Sequence, residues 1–425
     1  MRKFYVYLLS AALVLALTGC GSGTQDVTDS TQDMTDTVVT DSAEADEDES
    51  ADENTEADAA EDADAATEET EPELTGAEAA QAAADELETF KGLEAGLYDL
   101  DHNLTASWDQ LKSNGTITVE DGCVTAIDQS IQGALVLSDE VTSIADYGMY
   151  GCGYSYVILP ETLTSIGPSG LGGSGLLAVD IPDSVTDLHG LMDNGSLLWV
   201  RLPSGLTEIS KMLFAFDYNL VTVIFPDNIT TIGDSAFCEC YSLENLSIPE
   251  TVKSIGEGAF ENCTFAEFSL PEGIETIGDV AFYDCKGVEN VVIPVSLTSG
   301  LTVRSFSHCK ITNISVAEGN TDFDSREDCN AIIRTKDNEM ICCCKNTVVP
   351  KSVERMNCSF SAAEGLTSLT IPGKLKVFTS GVLAGSEIKT IYVYDEDTRQ
   401  LIVDKLDDED LSDVEVILLE DDNAE

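Results

Sequence analysis

The residues best suited to nucleophilic or metal chemistry in this 425-residue chain are its thirteen cysteines and three histidines. A thiolate attacks or ligates only where it is ionised and reachable. His102, His189 and His308 are widely separated and share no register with one another. His308 precedes Cys309, a pairing that could make a thiolate, but Cys309 falls at a recurring position that faces inward. The run Cys342-Cys343-Cys344 would alternate faces in a strand, leaving Cys343 outward. It lacks the paired Cys-x-x-Cys spacing of zinc sites, and a disulfide to Cys329 is the alternative use of these thiols. No His-Glu-x-x-His, Gly-x-Ser-x-Gly, phosphate loop or dinucleotide fingerprint occurs. The expectation is therefore no catalytic residue, no metal and no cofactor, in a protein that is not an enzyme.

Cys20 stands apart from the other twelve. The chain opens Met1-Arg2-Lys3 and then runs apolar from Phe4 to Leu17. That run is short of the roughly 20 residues that span a bilayer as a helix, and it has the layout of an export signal. It closes Leu17-Thr18-Gly19-Cys20, which resembles the bacterial lipobox. The resemblance implies cleavage after residue 19, a diacylglycerol on the Cys20 sulfur and anchoring in the bacterial cell membrane with the rest of the chain extracytoplasmic. Two or three acyl chains hold stably where one is marginal.

Residues 20–88 are read as that lipidated cysteine followed by a disordered acidic linker. Between Lys3 and Lys91 there is no basic residue and there are 25 carboxylates. So little apolar surface cannot offset chain entropy, and self-repulsion stretches the segment beyond the roughly 45 Å of a neutral coil. Within it, the Ala-rich stretch Leu74 to Leu87 can form a short helix. The whole chain carries a formal charge of −58, which repels phosphate backbones and excludes a nucleic-acid partner.

What positions the remaining cysteines is an internal repeat. Short β-forming runs end at Pro160, Pro182, Pro203, Pro226, Pro249, Pro271 and Pro294, then at Ala317, Pro350, Pro372 and Tyr394, with Ser138 as a degenerate first member. Successive landmarks lie 21 to 23 residues apart, except for one step of 33. Apolar residues recur before each landmark, as in Leu243, Leu246 and Ile248 before Pro249. After it comes an Ile-Gly pair (Ile255-Gly256, Ile277-Gly278), then Ala-Phe (Ala259-Phe260, Ala281-Phe282). A cysteine follows three residues after the ring: Cys240, Cys263, Cys285 and Cys309, with Cys152 in the same slot of an early unit. One such unit cannot bury its apolar side alone, but stacked units share a core, with strands about 4.8 Å apart and a rod of roughly 50 Å. The phenylalanines become an interior ladder, the cysteines a structural ladder at one corner, and the glycine permits a tight bend.

These tokens, above all Ser247-Ile248-Pro249-Glu250-Thr251-Val252-Lys253-Ser254-Ile255-Gly256 and Gly258-Ala259-Phe260-Glu261-Asn262-Cys263, resemble the BspA-like leucine-rich-repeat family. The resemblance covers residues 107 to 394 and implies a right-handed solenoid of short parallel strands, mostly β and turns, with a role in surface adhesion and binding. It also implies a hairpin-bearing repeat at about 320–350, with strands at Ala331 to Arg334 and Glu339 to Cys343. The units between 183 and 225 lack the cysteine. The solenoid proper is placed at 138–394. An N-terminal cap occupies 89–137, with a helix and strands from Trp108 to Ile127. A C-terminal cap and acidic tail occupy 395–425, with a helix at Asp397 to Leu406 and a strand at Val414 to Leu418.

Positions four and two before each landmark face outward in this register. Tyr156, Ile158, Trp199, Arg201 and Ile224 then form an aromatic and apolar stripe, the expected ligand-binding patch. The partner class is a host or microbial surface protein or glycan. The alternative is a structural envelope spacer without a soluble ligand.

Overall fold

The first of two short strands in most repeats is built from the residues before the landmark proline, which lacks an N–H and suits a strand end. In the computed structural model, which describes residues 75–420 apart from 245 and 266, the repeats stack into a β-solenoid of about 13 turns with little helix. Strands Gln132–Val136, Gly153–Ile158, Ala178–Asp180, Trp199–Arg201 and Thr222–Ile224 lie side by side in parallel. Val179, Val200 and Val223 share one register and point into the core. No strand forms at 246–249 or 267–270, and the ladder resumes at Asn290–Ile293 and Asn313–Val316.

The residue pair that ends in the isoleucine before the repeat glycine builds a second parallel ladder, where the spacing predicts only a bend at the glycine. Ser143–Ile144, Ser165–Ile166 and Asp187–Leu188 pair in succession, and Glu208–Ile209, Thr231–Ile232, Ser254–Ile255 and Thr276–Ile277 form a separate set. Two residues per coil suffice because each isoleucine is buried. The glycine serves close approach between coils. A Cβ at Gly256 would sit 2.5 Å from the Asp234 amide nitrogen, and one at Gly233 would sit 2.8 Å from the Ile209 carbonyl oxygen.

The third side is turn-rich and carries the Ala-Phe segment inward. Phe214, Phe237, Phe260, Phe282 and Phe306 stack with centroids 5.1, 5.3, 5.5 and 5.3 Å apart. Each such pair contributes about 0.5–1.5 kcal/mol beyond the area it buries.

Antiparallel elements and helices close the ends. Gly96–Tyr98 and Leu104–Ser107 extend the first ladder, and the hairpin Ile117–Glu120/Cys123–Ile127 begins the second. Between them lies the short helix Trp108–Ser113, opened by a Ser107/Gln110 capping box. The hairpin-bearing repeat has strands Ile332–Arg334 and Glu339–Cys342, the latter pairing in parallel with Arg355–Met356. At the far end a helix, Glu396–Asp408, buries Ile402 and Leu406, and the strand Glu415–Leu418 pairs with Thr390–Val393. The signal region, Cys20 and the acidic linker up to residue 74 lie outside the described residues, as does the tail from 421.

One element redraws the N-terminal boundary. Helix α1, Gly76–Phe90, crosses the linker end expected at residue 88. Thr75 and Glu78 form its capping box, and Ala80, Ala83, Ala84, Leu87 and Phe90 are buried on its inner face. Small alanines let the helix axis approach a sheet closely, and α1 lies across strands Gly153–Ile158, Ala178–Asp180 and Trp199–Arg201.

Candidate binding surface and interior ladder

The helix decides the fate of the expected patch. Tyr156 is fully buried, its ring 5.7 Å from that of Phe90, and its hydroxyl has no partner among the described residues. Burial, reinforced by the Glu86 charge, pushes that hydroxyl's ionisation far up. Ile158 and Trp199 are half-buried. Arg201 is held by Asp180, by Asp183 at 3.1 Å and by the Ile181 carbonyl at 3.2 Å. Lys91, just past α1, ties the helix to the same Asp180 at 2.6 Å. Ile224 alone of the five is exposed, at 44%. The outward stripe is thus a helix-docking face and not an open ligand surface. A parallel sheet that is apolar on both faces needs a cover, and α1 supplies it.

The cysteine slot is interior, as its register implied. Cys240, Cys263, Cys285 and Cys309 donate S–H bonds to the carbonyls of Phe214, Phe237, Phe260 and Phe282 in the preceding coils, at 3.2, 3.0, 2.9 and 2.9 Å. Burial pushes the thiols of Cys240, Cys263 and Cys285 well up, and that of Cys152 up to about 12. Buried, protonated thiols are inert hydrophobes with a weak donor.

In the coils that lack cysteine, the same corner holds Ser174, Asn194 and Asp217, all buried. Ser174 donates from its amide and hydroxyl to Asn194 Oδ1, at 2.8 and 2.7 Å, and the Asn194 amide donates to Asp217 Oδ1 at 2.6 Å. The sequence carries the signal for this slot. Counting three residues on from Leu171, Leu191 and Phe214 reaches these polar residues as surely as counting from Phe237 reaches Cys240.

The expected facing of the triple cysteine run is corrected: Cys343 is buried and Cys342 is the partly exposed member, because Cys343 packs with Cys358 and Phe360 of the next coil and donates to the Ser359 carbonyl at 3.2 Å. All twelve described cysteines are free thiols, Cys329 included. The histidines do not converge. His102 stacks on Phe90 at 4.5 Å, His189 meets Asp187 at 2.9 Å, and His308 lies by Tyr283 at 4.9 Å. Among the described residues no group of three or more His, Cys, Asp or Glu side chains is placed to hold a metal.

A different surface carries exposed aromatic rings. One residue past the interior slot, Tyr218 and Tyr241 stack face to face across adjacent coils, 5.5 Å apart and 13° from parallel, at 41% and 47% exposure. Phe216 lies 6.4 Å from Tyr218. Further toward the N-terminus Tyr147, 63% exposed, meets Tyr150 edge-on at 5.5 Å, and the Tyr150 hydroxyl donates to Asp193 at 3.2 Å. Partial burial first, then the charges of Asp193 and Glu239, raises the Tyr218 hydroxyl's ionisation. This corner therefore offers hydroxyl donors and aromatic faces among carboxylates.

With the coil geometry in place, comparison with known proteins fixes the family. A family model described as "BspA type Leucine rich repeat region" matches in six copies, over residues 128–220, 207–330 and 339–401. The chain belongs to the BspA-type leucine-rich-repeat family. Among solved structures, this BspA-type chain is similar to a leucine-rich repeat protein from Bacteroides ovatus. That match has 16% identity over 72% of this chain and 91% of that one, with a TM-score of 0.45. It is also similar to a leucine rich cell surface protein from Faecalibacterium prausnitzii, with 16% identity over 65% of this chain and 86% of that one and a TM-score of 0.41. No curated protein matches the chain. Among the described residues of this BspA-type protein, no helix is long and apolar enough to cross a membrane.

Proposed function

We propose that this chain is a non-catalytic binding or adhesion module displayed on a bacterial surface. On this reading it is exported, lipidated at Cys20 and carried away from the membrane on its acidic linker. The tyrosine corner of Tyr147, Tyr150, Tyr218 and Tyr241 is its contact surface. The observation that carries the reading is the exposure of stacked aromatic rings on a solenoid whose other apolar face is already covered by α1. Tyrosine is enriched at binding hot spots because it adds large contact area and a polar tip at little entropic cost. The partner class is a host or microbial surface protein or glycan.

The test is an array of host proteins and glycans probed with the full chain in detergent, followed by the double variant Tyr218→Ala/Tyr241→Ala. At least a tenfold loss of binding with an unchanged circular dichroism spectrum supports the corner as the contact surface. Undiminished binding moves the surface elsewhere. Association with itself or with wall polymer alone supports the structural spacer instead. Cys20→Ala should release the chain from the membrane fraction, and retention there would remove the lipid anchor from the reading.

A further inference from the structure

The interior corner of the solenoid has one occupant that differs in kind from the rest. The cysteines and Asn194 each donate a side-chain hydrogen bond to a main-chain carbonyl there, and the Ser174 hydroxyl donates to Asn194 Oδ1. An ionised Asp217 has nothing to donate. Its side chain is fully buried, Oδ1 accepts the Asn194 amide at 2.6 Å, and Oδ2 has no partner among the described residues. The titratable groups around it are Asp193 from the preceding coil, Cys240 from the following one and Tyr218 beside it in the chain. Asp193 brings like charge, and no cation acts on the site. A lone buried carboxylate is costly, whereas the neutral acid has no charge to desolvate.

The site lies at a discontinuity of the solenoid. The second strand ladder breaks between Asp187–Leu188 and Glu208–Ile209, within the stretch where the landmark step shortens to 21 residues. Side chains cross this break in place of the missing ladder bonds. Ser210 Oγ donates to the Leu188 carbonyl at 2.8 Å, Asn219 donates to the Gly195 carbonyl at 2.5 Å, and Asp217 takes the Asn194 amide.

We propose that Asp217 is protonated in the folded chain, so that the solenoid holds no buried charge at this break. Ionisation places a second negative charge beside Asp193 in a closed interior, so the folded chain weakens as pH rises. Burial first, and Asp193 after it, hold this carboxyl's ionisation well above the usual range, against a smaller opposing effect of the Asn194 amide. The folded value lies above the unfolded one. The proton's contribution is therefore complete below about pH 4 and declines as pH rises toward the folded value. Over that window the unfolding constant, relative to Asp217→Asn, rises about tenfold per pH unit.

The experiment is urea denaturation of the full chain and of Asp217→Asn from pH 4 to pH 9, with infrared spectra of both at pH 7. At pH 7 a carbonyl band of a protonated carboxylic acid should be present in the natural chain and absent from Asp217→Asn. A ratio of unfolding constants that is flat with pH, or a natural chain without that band, overturns the proposal. Should Asp217→Asn fail to fold, Asp217→Cys, which restores the usual occupant of the slot, replaces it in both measurements.

Discussion

The coils between Gly148 and Tyr218 and those between Ala236 and Cys309 solve the same packing problem with different materials. In the later coils the interior is a phenylalanine stack with rings 5.3 to 5.5 Å apart, and thiols donate to the ring residues' carbonyls at 2.9 to 3.0 Å. In the earlier coils Met149, Leu171 and Leu191 stand where the rings would be, and Ser174, Asn194 and Asp217 replace the cysteines. These smaller side chains fill less of the interior. The earlier coils add a helix from outside the repeat and a buried hydrogen-bond chain, both absent from the later ones. Regular repeats carry their own cohesion in nearest-neighbour packing. Irregular repeats import it.

Four measurements can break or sharpen that contrast. The largest effect belongs to Phe260→Ala, which removes a fully buried ring packed between two others and should cost about 3–5 kcal/mol in urea denaturation. A loss no greater than that of Leu171→Ala would erase the distinction between the two interiors. Next is Leu87→Ala on the buried face of α1, expected to cost about 2–4 kcal/mol. It should also shift tryptophan emission to longer wavelength as Trp199 becomes wetter. An unchanged spectrum would mean that α1 is dispensable as a cover. Third, Asn194→Ala strands the amide of Ser174 and the carbonyl of Leu191, a loss of about 1–3 kcal/mol. Asn194→Cys, which imports the later coils' solution, should recover part of it if the slot is equivalent along the solenoid.

The smallest effect is in reactivity. Burial and the charges of Glu261 and Glu239 push the Cys238 thiol up to about 11. It stays protonated at pH 8, and alkylation of this partly exposed cysteine should accelerate as pH rises toward 11. Fast labelling at pH 8, read by mass spectrometry, would count against that environment.

The repeat was legible because each coil repeats the same requirement. Val288, Val291 and Ile293 before Pro294 state a buried strand, and Phe282 followed by Cys285 states an interior corner. The proposed binding patch was less legible. Spacing assigns the −4 and −2 positions to the outer face of the strands, but nothing in Tyr156 or Trp199 says that a helix from residues 76–90 will lie on that face. The Tyr218–Tyr241 pair was missed because its two members become neighbours only through stacking, 23 residues apart in the chain. Asn194 and Asp217 lie in units marked in the sequence only by the lack of cysteine, although their count from the preceding apolar residue is intact.

Sequence by itself determined the coil, its length and the inward column, because hydrophobic spacing and ring volume act within one unit and its immediate neighbours. Which face stayed open, which polar side chains found partners and where the second ladder broke were decided only in three dimensions. Those outcomes depend on contacts between segments 20 or more residues apart, such as Phe90 on Tyr156 and Asn194 on Asp217, whose geometry no local pattern encodes.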